Sequence, residues 1–497
     1  MSETTEQTAT PNTAAAMIDR LAAQGHLIGD GWSAGDSGGR YAHHDPATGR
    51  FQASVALGGA SEVTAAVDAA VAAGPAWRAM PLDERAAVLH RLADLLVAND
   101  PGSALLNARD NGTPISAMRP GVYAAAWVRY YAGWVDKVDG HVVPVSGGLD
   151  YVLPEPYGVI GAIVPWNGPM MGMGQKVAPA LAAGNTVVAK PPEIAPFGAL
   201  RFAELALEAG LPPGVLNVVT GGAEAGQTLV RDARVAKVSF TGGHVTARAV
   251  MIAAAETLKP LALELGGKSA NIVFPDADLD TAAMLAVLLG VGLLSGQGCA
   301  LPTRLYVHDE VYDETVERLI AQAAGLSVGD PSDPASFMGP VVTDGACTRI
   351  LGVIELARAE RSGTLLAGGV RLGGSLAEGY FVAPTIFGDV VHGSDLAANE
   401  VFGPVLSVLR FRDEDEVVAK ANDSHFGLGA YLHTRDIGRA HRVAKRLEAG
   451  MVIINGMPGM SPGAPFGGYK QSGFGREGGR WGIEEFLQQK NVFIADT

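Results

Sequence analysis

The stretch Gly158-Val159-Ile160-Gly161-Ala162-Ile163-Val164, followed at once by Pro165-Trp166-Asn167, decides the fold. It is an almost continuously apolar strand, and such strands are typical of a parallel sheet that is covered on both faces. Further short β-branched segments and the helix-length segments between them lie at 186–189, 197–209, 216–219, 236–240, 245–258 and 261–264. This alternation of strands and helices predicts βαβ units with right-handed crossovers.

A second α/β block extends from about residue 269 to about residue 468. Its predicted strands and helix lie at 271–274, 279–294 (the helix), 304–307 and 451–454. Two extended apolar segments, 140–145 and 491–494, have few neighbouring strands in the sequence with which they could pair. We therefore interpret them as contacts between copies of the chain. A solvent-facing hairpin is the alternative. The predicted fold class is α/β, with two Rossmann-like parallel-sheet domains and a small β oligomerisation element.

Composition narrows the class of function. The chain has 497 residues, 48% of them hydrophobic, and a formal net charge of −15, so it can bury a large core. An acidic chain without a Lys/Arg-rich run does not attract a polyanion, which argues against nucleic acid as a partner. Cys299 and Cys347 are the only cysteines, and the eleven histidines show no metal spacing. A disulfide-built scaffold is therefore excluded, and we expect no metal.

Targeting signals are not evident in the sequence. The polar start, residues 1–16, has neither the basic nor the apolar region of a signal peptide, and we expect it to be disordered. The apolar run 284–294 is shorter than the ~20 residues that span a bilayer. We therefore expect a cytoplasmic protein without a membrane partner.

Cys299 and Glu264 are the residues best suited to covalent chemistry. Cys299 lies between glycine-rich residues that let backbone N–H groups approach an atom bonded to its sulfur. Glu264 lies in an otherwise apolar strand, where partial desolvation raises a carboxyl pKa toward the range of a general base. The structural alternatives are a small buried thiol for Cys299 and a salt bridge to Lys268 for Glu264.

Three polar residues follow the first two strands of the sheet. Asn167 lies just beyond the carboxyl end of the first strand, where ligands bind in open α/β sheets, and its amide can donate to an oxyanion. Lys190 and Glu193 follow the next strand, and a cation beside a carboxylate suits a ribose diol with phosphate nearby. An Asx turn at Asn167 and a proline-led helix start at Glu193 are the structural alternatives.

Seven motifs occur in an order that resembles the NAD(P)-dependent aldehyde dehydrogenase superfamily, from about Ile28 to the end. They are Pro165-Trp166-Asn167, Lys190-Pro191-Pro192-Glu193, Phe240-Thr241-Gly242, Glu264-Leu265-Gly266-Gly267-Lys268-Ser269, Gly296-Gln297-Gly298-Cys299, Glu400-Val401-Phe402-Gly403-Pro404 and Pro465-Phe466-Gly467-Gly468-Tyr469-Lys470.

The resemblance implies the oxidation of an aldehyde to a carboxylic acid. Cys299 would be the nucleophile that forms a thiohemiacetal and then a thioester. Asn167 and the backbone N–H of Cys299 would hold the oxyanion, and Glu264 would activate the water that hydrolyses the thioester. Lys176 and Glu477 match positions that the family is proposed to use for proton relay.

The resemblance also implies cofactor-binding and substrate residues. The cofactor-binding residues would be Pro165, Trp166, Lys190, Glu193, Gly242, Gly243, Leu265, Glu400 and Phe402. The substrate pocket would contain Gly168, Gln175, Gly298 and Phe466. A carboxylate at Glu193 that bonds both ribose hydroxyls repels a 2′-phosphate, so NAD is favoured, with NADP as the alternative.

The same resemblance implies the domain boundaries. An NAD-binding domain would comprise 17–136 and 157–265, and a catalytic domain would comprise 266–468. Oligomerisation strands would lie at 137–156 and 484–497, in a homodimer or homotetramer.

Some positions depart from the family pattern. Gly243 replaces the usual serine after Phe-Thr-Gly, and the interval from Glu264 to Cys299, 299 − 264 = 35, is one residue longer than the expected spacing. Gly168 and Gln175 stand where many relatives place bulky aromatic residues, which indicates a wide entrance. Three alternative functions stay open at this point: a CoA-acylating semialdehyde dehydrogenase, a cofactor-free Cys-Glu-Lys hydrolase, and a catalytically silent protein on the same fold.

Overall fold

The computed structural model describes residues 10–457 and 461–496. Its α-helices are α1 Pro11–Gln24, α2 Ala60–Ala79, α3 Leu82–Ala98, α4 Asp100–Asn111, α5 Pro120–Ala132, α6 Pro169–Ala182, α7 Phe197–Glu208, α8 Ala223–Arg231, α9 His244–Ala255, α10 Leu279–Val287, α11 Tyr312–Ala324, α12 Asp344–Ala359, α13 Asp395–Ala398, α14 Glu414–Asn422, α15 Ile437–Arg446 and α16 Gly479–Glu484.

The strands form four sheets. They are β1 His26–Ile28, β2 Gly31–Ser33, β3 Arg40–His44, β4 Phe51–Ala56, β5 His141–Val143, β6 Gly148–Pro156, β7 Val159–Ile163, β8 Thr186–Lys190, β9 Leu216–Val218, β10 Val235–Gly242, β11 Leu261–Leu265, β12 Ala270–Val273, β13 Arg304–His308, β14 Thr364–Ala367, β15 Thr385–Gly388, β16 Val405–Phe411, β17 Gly429–His433, β18 Met451–Ile454, β19 Gly473–Phe474 and β20 Leu487–Ala495.

The first large sheet has the order β19-β11-β10-β7-β8-β9-β1-β2. Its central strands, from β11 to β9, are parallel, and the strands at both edges are antiparallel. Every residue of β7 and β8 is buried. Helices α3, α5, α6 and α7 cover one face, and α2, α8 and α9 cover the other. The apolar strand that begins at Val159 therefore lies in the middle of a sheet covered on both faces, and this prediction is confirmed.

The second large sheet has the order β14-β15-β16-β13-β12-β17-β18, and only β14 is antiparallel. Helices α12, α14 and α15 pack on one face, and α10 and α11 pack on the other. All seven strands lie within the predicted catalytic domain, 266–468. The two parallel sheets confirm the predicted α/β class, while the domain boundaries stay a prediction.

A small sheet with the order β20-β6-β5 contains both segments that the sequence marks as extended. Strand β20 pairs with β6 along its whole length, from Leu487 opposite Pro156 to Ala495 opposite Gly148. Several apolar side chains on this sheet are exposed: Val142, Leu149, Leu153, Phe493 and Ile494. The paired strands 141–143, 148–156 and 487–495 lie within the predicted oligomerisation segments, 137–156 and 484–497.

The N-terminal segment corrects one prediction. Residues 11–16 belong to helix α1 and are not disordered, while residues 1–9 lie outside the described part of the chain. The Thr10 hydroxyl accepts a hydrogen bond from the Thr13 N–H and caps the helix. Ala14, Ile18 and Leu21 are buried, so an alanine-rich stretch that looks like a tail in the sequence packs as an amphipathic helix.

The predicted helix 279–294 is also corrected. Regular helix ends at Val287, a π-helical turn follows over Leu288–Gly292, and Leu294 and Ser295 have left-handed backbone angles, φ 51° and 53°. By length and composition the segment Leu279–Gly296 could cross a membrane. Its regular helix, however, ends at Val287. Most of the apolar side chains of the segment pack in the interior of the second domain.

Candidate active site

A cavity of about 370 Å³ lies at the carboxyl ends of β7, β8, β10 and β11. This is the edge at which open α/β sheets bind ligands. The residues that line it are Ile163, Val164, Pro165, Trp166, Asn167, Lys190, Pro192, Phe240, Thr241, Gly242, Gly243, Thr246, Glu264, Leu265, Gly266, Cys299, Glu400 and Phe402. In the described ranges, no group of three or more His, Cys, Asp or Glu residues is arranged to hold a metal ion.

Most of the residues singled out in the sequence meet at this cavity. Those that line it are Pro165, Trp166, Asn167, Lys190, Gly242, Gly243, Glu264, Leu265, Cys299, Glu400 and Phe402. The lining residues that sequence reasoning missed are Ile163, Val164, Pro192, Phe240, Thr241, Thr246 and Gly266. Four of these, Pro192, Phe240, Thr241 and Gly266, lie inside the quoted motifs but were given no role, and Ile163 and Val164 directly precede the motif that begins at Pro165. Thr246 lies in the first turn of α9 and is found only by placing that helix.

Other predicted residues lie outside the lining. Among the described residues, Glu193 is not in the cavity wall, although its neighbour Pro192 is. Gly168 is the N-cap residue of helix α6, and Gln175 is buried within that helix. A Cβ at Gly298 would lie 2.8 Å from the Leu301 side chain. Phe466 is joined to Glu477 by two backbone hydrogen bonds. The substrate-pocket roles of Gly168, Gln175, Gly298 and Phe466 stay predictions.

The loop before Cys299 has an unusual backbone. Leu294, Ser295 and Gly296 have successive positive φ angles, which only glycine adopts at no cost. The Ser295 hydroxyl donates to the carbonyl oxygen of Gly339 at 2.7 Å. The Gln297 amide donates back to the Leu294 carbonyl at 2.9 Å and accepts from the Val342 N–H at 3.0 Å. These side-chain hydrogen bonds stabilise the strained turn. They therefore fix the position of the Cys299 thiol, which follows Gln297 by two residues.

Asn167 is oriented by the same loop. Its Nδ2 donates to the backbone carbonyl of Gln297 at 2.8 Å. An amide nitrogen carries two hydrogens, so the second remains to donate to a ligand beside Cys299. Because the first bond fixes the plane of the amide, the Asn167 donor is preorganised for a developing oxyanion.

Glu264 is a buried carboxyl group without a conventional partner. The residue is 5% exposed, and within the described chain its Oε1 has no hydrogen-bond partner. Burial raises the pKa of Glu264 to about 8, helped by the negative charge of Glu477 and opposed by Lys176 and by the neighbouring Cys299 thiol. The alternative reading, a salt bridge to Lys268, is wrong, because no carboxylate lies within 4 Å of that ammonium in the described structure.

Burial and the nearby carboxylates act together on the thiol. Burial raises the pKa of Cys299 well above its usual value, and the negative charges of Glu264 and Glu400 raise it further. The resting pair is therefore a thiol beside a carboxyl group that gains and loses its proton near pH 8.

A buried ion pair, Lys176 and Glu477, lies close enough to Glu264 for its charges to act on that carboxyl group. Lys176 Nζ donates to Glu477 Oε1 at 2.6 Å and to the Ser239 hydroxyl at 3.0 Å. The Lys176 side chain is 1% exposed and that of Glu477 is 12% exposed. Since both of their charges act on the pKa of Glu264, the three groups form one buried electrostatic cluster.

Three features of the cavity suit a dinucleotide. Helix α9 begins at the N-cap Gly243, where no side chain caps the first turn and a Cβ would meet nothing within 4 Å. Its free N–H groups can therefore face a phosphate. Glu400 Oε1 accepts from the Gly267 N–H at 2.9 Å, and burial raises the pKa of Glu400 to about 7. The Phe402 ring packs edge-on against Trp166, with ring centres 5.5 Å apart.

Comparison with known proteins decides the family. The profile described as "Aldehyde dehydrogenase family" matches residues 32–492, nearly the whole chain. The chain belongs to the aldehyde dehydrogenase family. It is an enzyme of aldehyde oxidation, and the superfamily indicated by the sequence motifs is confirmed.

Several relatives resemble this aldehyde dehydrogenase closely. A betaine aldehyde dehydrogenase from Cereibacter sphaeroides strain ATCC 17025 is 43% identical over 440 residues, 86% of this chain and 89% of the relative. PnpE from Pseudomonas sp. WBC-3, solved in complex with nicotinamide adenine dinucleotide, is 40% identical, with a TM-score of 0.93 over 95% of this chain and 97% of its own. The NAD⁺ complex of a Bacillus cereus aldehyde dehydrogenase is 37% identical, with a TM-score of 0.92 over 96% and 98%.

The strained turn gives a direct test of how this aldehyde dehydrogenase positions its thiol. In Gly296→Ala, the new Cβ would lie 2.1 Å from the Gly403 carbonyl oxygen, on backbone that already has a φ of 70°. We expect a loss of activity of about 10²-fold or more, since a shift of about 1 Å at a reacting atom has that effect. Aldehyde-dependent turnover and thermal unfolding should be measured together.

The matched control is Gly352→Ala in helix α12, where a Cβ meets nothing within 4 Å. That variant should keep full activity and equal or exceed the parent in stability. A Gly296→Ala enzyme with parental turnover would show that the turn does not position Cys299.

Proposed function

We propose that this enzyme oxidises an aldehyde to the carboxylic acid with NAD as the hydride acceptor, through a thioester on Cys299 that is hydrolysed by water activated by Glu264. The observation that carries the proposal is the position of the unpartnered Glu264 carboxyl group beside the Cys299 thiol, in the wall of one cavity. A thiol at this point attacks a carbonyl carbon, and a carboxylate with a raised pKa removes a proton from water.

The cavity suits NAD as its ligand. The N-terminus of α9 would receive the pyrophosphate, and Lys190 and Glu193 would bind the adenosine ribose. Glu400 would bind the nicotinamide ribose, while Trp166, Leu265 and Phe402 contribute apolar walls. Two of the similar structures, PnpE and the Bacillus cereus enzyme, contain this dinucleotide. When bound, NAD supplies the oxidant that accepts a hydride from the substrate carbon.

The first part of the mechanism forms a bond to sulfur. The Cys299 thiol passes its proton to the Glu264 carboxylate as Sγ adds to the aldehyde carbon. The carbonyl oxygen becomes an oxyanion, which accepts from Asn167 Nδ2 and from the backbone N–H of Cys299. Because Gln297 already holds the Asn167 amide, little reorganisation is needed at this moment.

The second part releases the acid. After oxidation the substrate carbon is a thioester, and Glu264 must be ionised again to accept a proton from the attacking water. The hydrogen-bonded pair Lys176–Glu477, whose charges act on the pKa of Glu264, would receive the proton that Glu264 gives up. Sγ then departs as the leaving group and takes up a proton, so that the free thiol and the carboxylic acid are restored.

The substrate class follows from the aromatic residues near the thiol. Quaternary ammonium groups, such as that of betaine aldehyde, are bound by cages of aromatic rings. Trp166 is the only aromatic residue in the segments 165–176 and 298–302, and its ring packs against Phe402 in the cofactor cavity. Phe466 is the only aromatic residue in 454–468. We therefore propose an uncharged aldehyde as the preferred substrate, although one relative is a betaine aldehyde dehydrogenase.

Turnover with matched aldehydes tests both the reaction and the substrate class. We expect NAD reduction with 3,3-dimethylbutanal, and a kcat/KM for betaine aldehyde, its charged isostere, at least 10-fold lower, because the segments 165–176, 298–302 and 454–468 supply only two aromatic rings to stabilise the cation. Nicotinamide absorbance gives the rate, Cys299→Ala is the inactive control, and added coenzyme A should not change the rate. A preference for betaine aldehyde would overturn the substrate class alone, whereas inactivity with every aldehyde would overturn the reaction.

The role of Glu264 predicts a particular dependence on pH. Only its ionised form removes a proton from water, so the steady-state rate should rise with pH through a midpoint near 8 and fall away below it. Glu264→Gln should give one burst of reduced cofactor and then slow turnover without this dependence. Stopped-flow absorbance between pH 6 and pH 10 resolves both phases.

The matched variant for this test is Glu477→Gln. It removes a negative charge that raises the pKa of Glu264, so the midpoint of the pH profile should move to lower pH. A Glu264→Gln enzyme with parental steady-state rates would remove this residue from the mechanism.

We also propose that copies of the chain associate through the small sheet. Strands β5 and β20 are both edge strands, and exposed apolar edges favour pairing with another chain. Leu149 and Ile494 lie opposite each other in the register and are 48% and 52% exposed. A second copy would remove this apolar pair from water.

A charge at this position should disrupt the association. Ile494→Lys should lower the molar mass measured by light scattering at micromolar concentration, because an ammonium group would be buried without a partner. Val370→Lys, which changes a 55% exposed apolar residue elsewhere, is the control and should keep the parental mass. A parent that is monomeric in this measurement would contradict the proposal.

A further inference from the structure

Asn111 is a buried polar residue that bonds to the backbone just before Asn167. It is the last residue of helix α4 and is 2% exposed. Its Nδ2 donates to the carbonyl oxygen of Trp166 at 3.0 Å, and its Oδ1 accepts from the Thr113 N–H at 3.1 Å. Because the Thr113 N–H requires an acceptor, it determines which end of the amide carries the oxygen. The nitrogen of Asn111 therefore faces the Trp166 carbonyl.

The bond to Trp166 restrains the backbone of Asn167. The Trp166 carbonyl belongs to the planar peptide group that precedes the Asn167 Cα, so a bond to its oxygen fixes the plane from which Asn167 projects. The side chain of Asn167 is held separately, by its bond to the Gln297 carbonyl at 2.8 Å. Two hydrogen bonds from distant parts of the chain thus place the Asn167 amide, one through its backbone and one through its side chain.

The loop after α4 also contacts the segment that holds the strained turn. Gly112 ends the helix with a φ of 82°. A Cβ at Gly339 would overlap the carbonyl oxygen of Gly112, so the two backbones are in direct contact. The Gly339 carbonyl in turn accepts from the Ser295 hydroxyl of the strained turn before Cys299. The end of α4 therefore lies between the peptide of the oxyanion donor and the support of the nucleophile.

We propose that Asn111 is a positioning residue for aldehyde oxidation, which keeps the Asn167 amide directed at the carbonyl oxygen of a substrate on Cys299. The inference rests on the proposed role of Asn167 as an oxyanion donor. A donor that is already oriented stabilises an oxyanion without reorganisation, whereas a donor that can turn away must be reordered in each turnover. Asn111 is not among the residues that line the cavity, so its effect should be transmitted through Asn167.

A double-mutant cycle on the full-length enzyme tests this coupling, with saturating NAD and the aldehyde that the enzyme turns over best. Asn167→Ala should lower kcat/KM by about 10²-fold or more, the usual effect of losing an oxyanion donor. Asn111→Ala should lower it by about 10-fold or more in the parent enzyme, because the donor is then misplaced. In the Asn167→Ala background the same substitution should change kcat/KM by less than about 2-fold, because the group that Asn111 positions is absent.

Asn217→Ala is the matched control. Asn217 is also buried and joins two backbone segments, since its Oδ1 accepts from the Gly29 N–H and its Nδ2 donates to the Gly214 carbonyl oxygen. It does not line the cavity. This variant should lower the Tm about as much as Asn111→Ala does and should keep the parental kcat/KM, which separates positioning from stability.

Asn111→Asp keeps the inference testable if the alanine variant does not fold. The carboxyl group retains the volume of the side chain and the acceptor for the Thr113 N–H, and when ionised it offers no donor to Trp166. It should show the same dependence on Asn167. Parental kcat/KM in the Asn111 variants, or equal losses with and without Asn167, would contradict this inference alone. An Asn167→Ala enzyme with parental kcat/KM would instead refute the oxyanion role of Asn167, and this inference with it.

Discussion

The active site depends on one carboxyl group that is kept out of water. Glu264 lies near the end of a strand whose other residues are apolar, and burial holds its pKa near 8 rather than near its usual value. A carboxylate that stayed ionised at all times would be a poor base and would repel the thiolate of Cys299. The surrounding apolar sheet thus sets the chemistry, and the Glu477–Lys176 pair adjusts it from behind.

The two-domain architecture brings the reacting groups together. Glu264 belongs to the first sheet, whereas Cys299 follows α10 of the second domain, and a short loop joins the two units. Parallel strands end at the same edge, so Asn167, Lys190 and Glu264 come from separate strands yet line one cavity. The arrangement explains how residues far apart in the chain come to line the same cavity.

Much of this arrangement could be predicted from the sequence, because apolar strands and their polar carboxyl ends have a clear pattern. The class of fold and the strand that begins at Val159 follow from it, whereas the pairing of Cys299 with Glu264 is implied by the resemblance of the ordered motifs to the aldehyde dehydrogenase superfamily. The π-helical turn and the left-handed residues Leu294 and Ser295 could not be predicted, since their side chains are those of an ordinary apolar helix and tertiary bonds determine the backbone. Helix α1 was missed because small alanines resemble a flexible tail until their partners are known.

The π-helical turn that follows α10 has a consequence for how the chain tolerates changes in length. A π turn holds more residues than a regular turn over a similar span, so one additional amino acid can be accommodated there while both flanking elements stay in place. The spacing between base and nucleophile exceeds the family expectation by one residue, and the irregular stretch Leu288–Ser295 lies inside that interval. This irregular stretch can therefore hold the additional residue while Glu264 and Cys299 keep their positions on either side of the cavity.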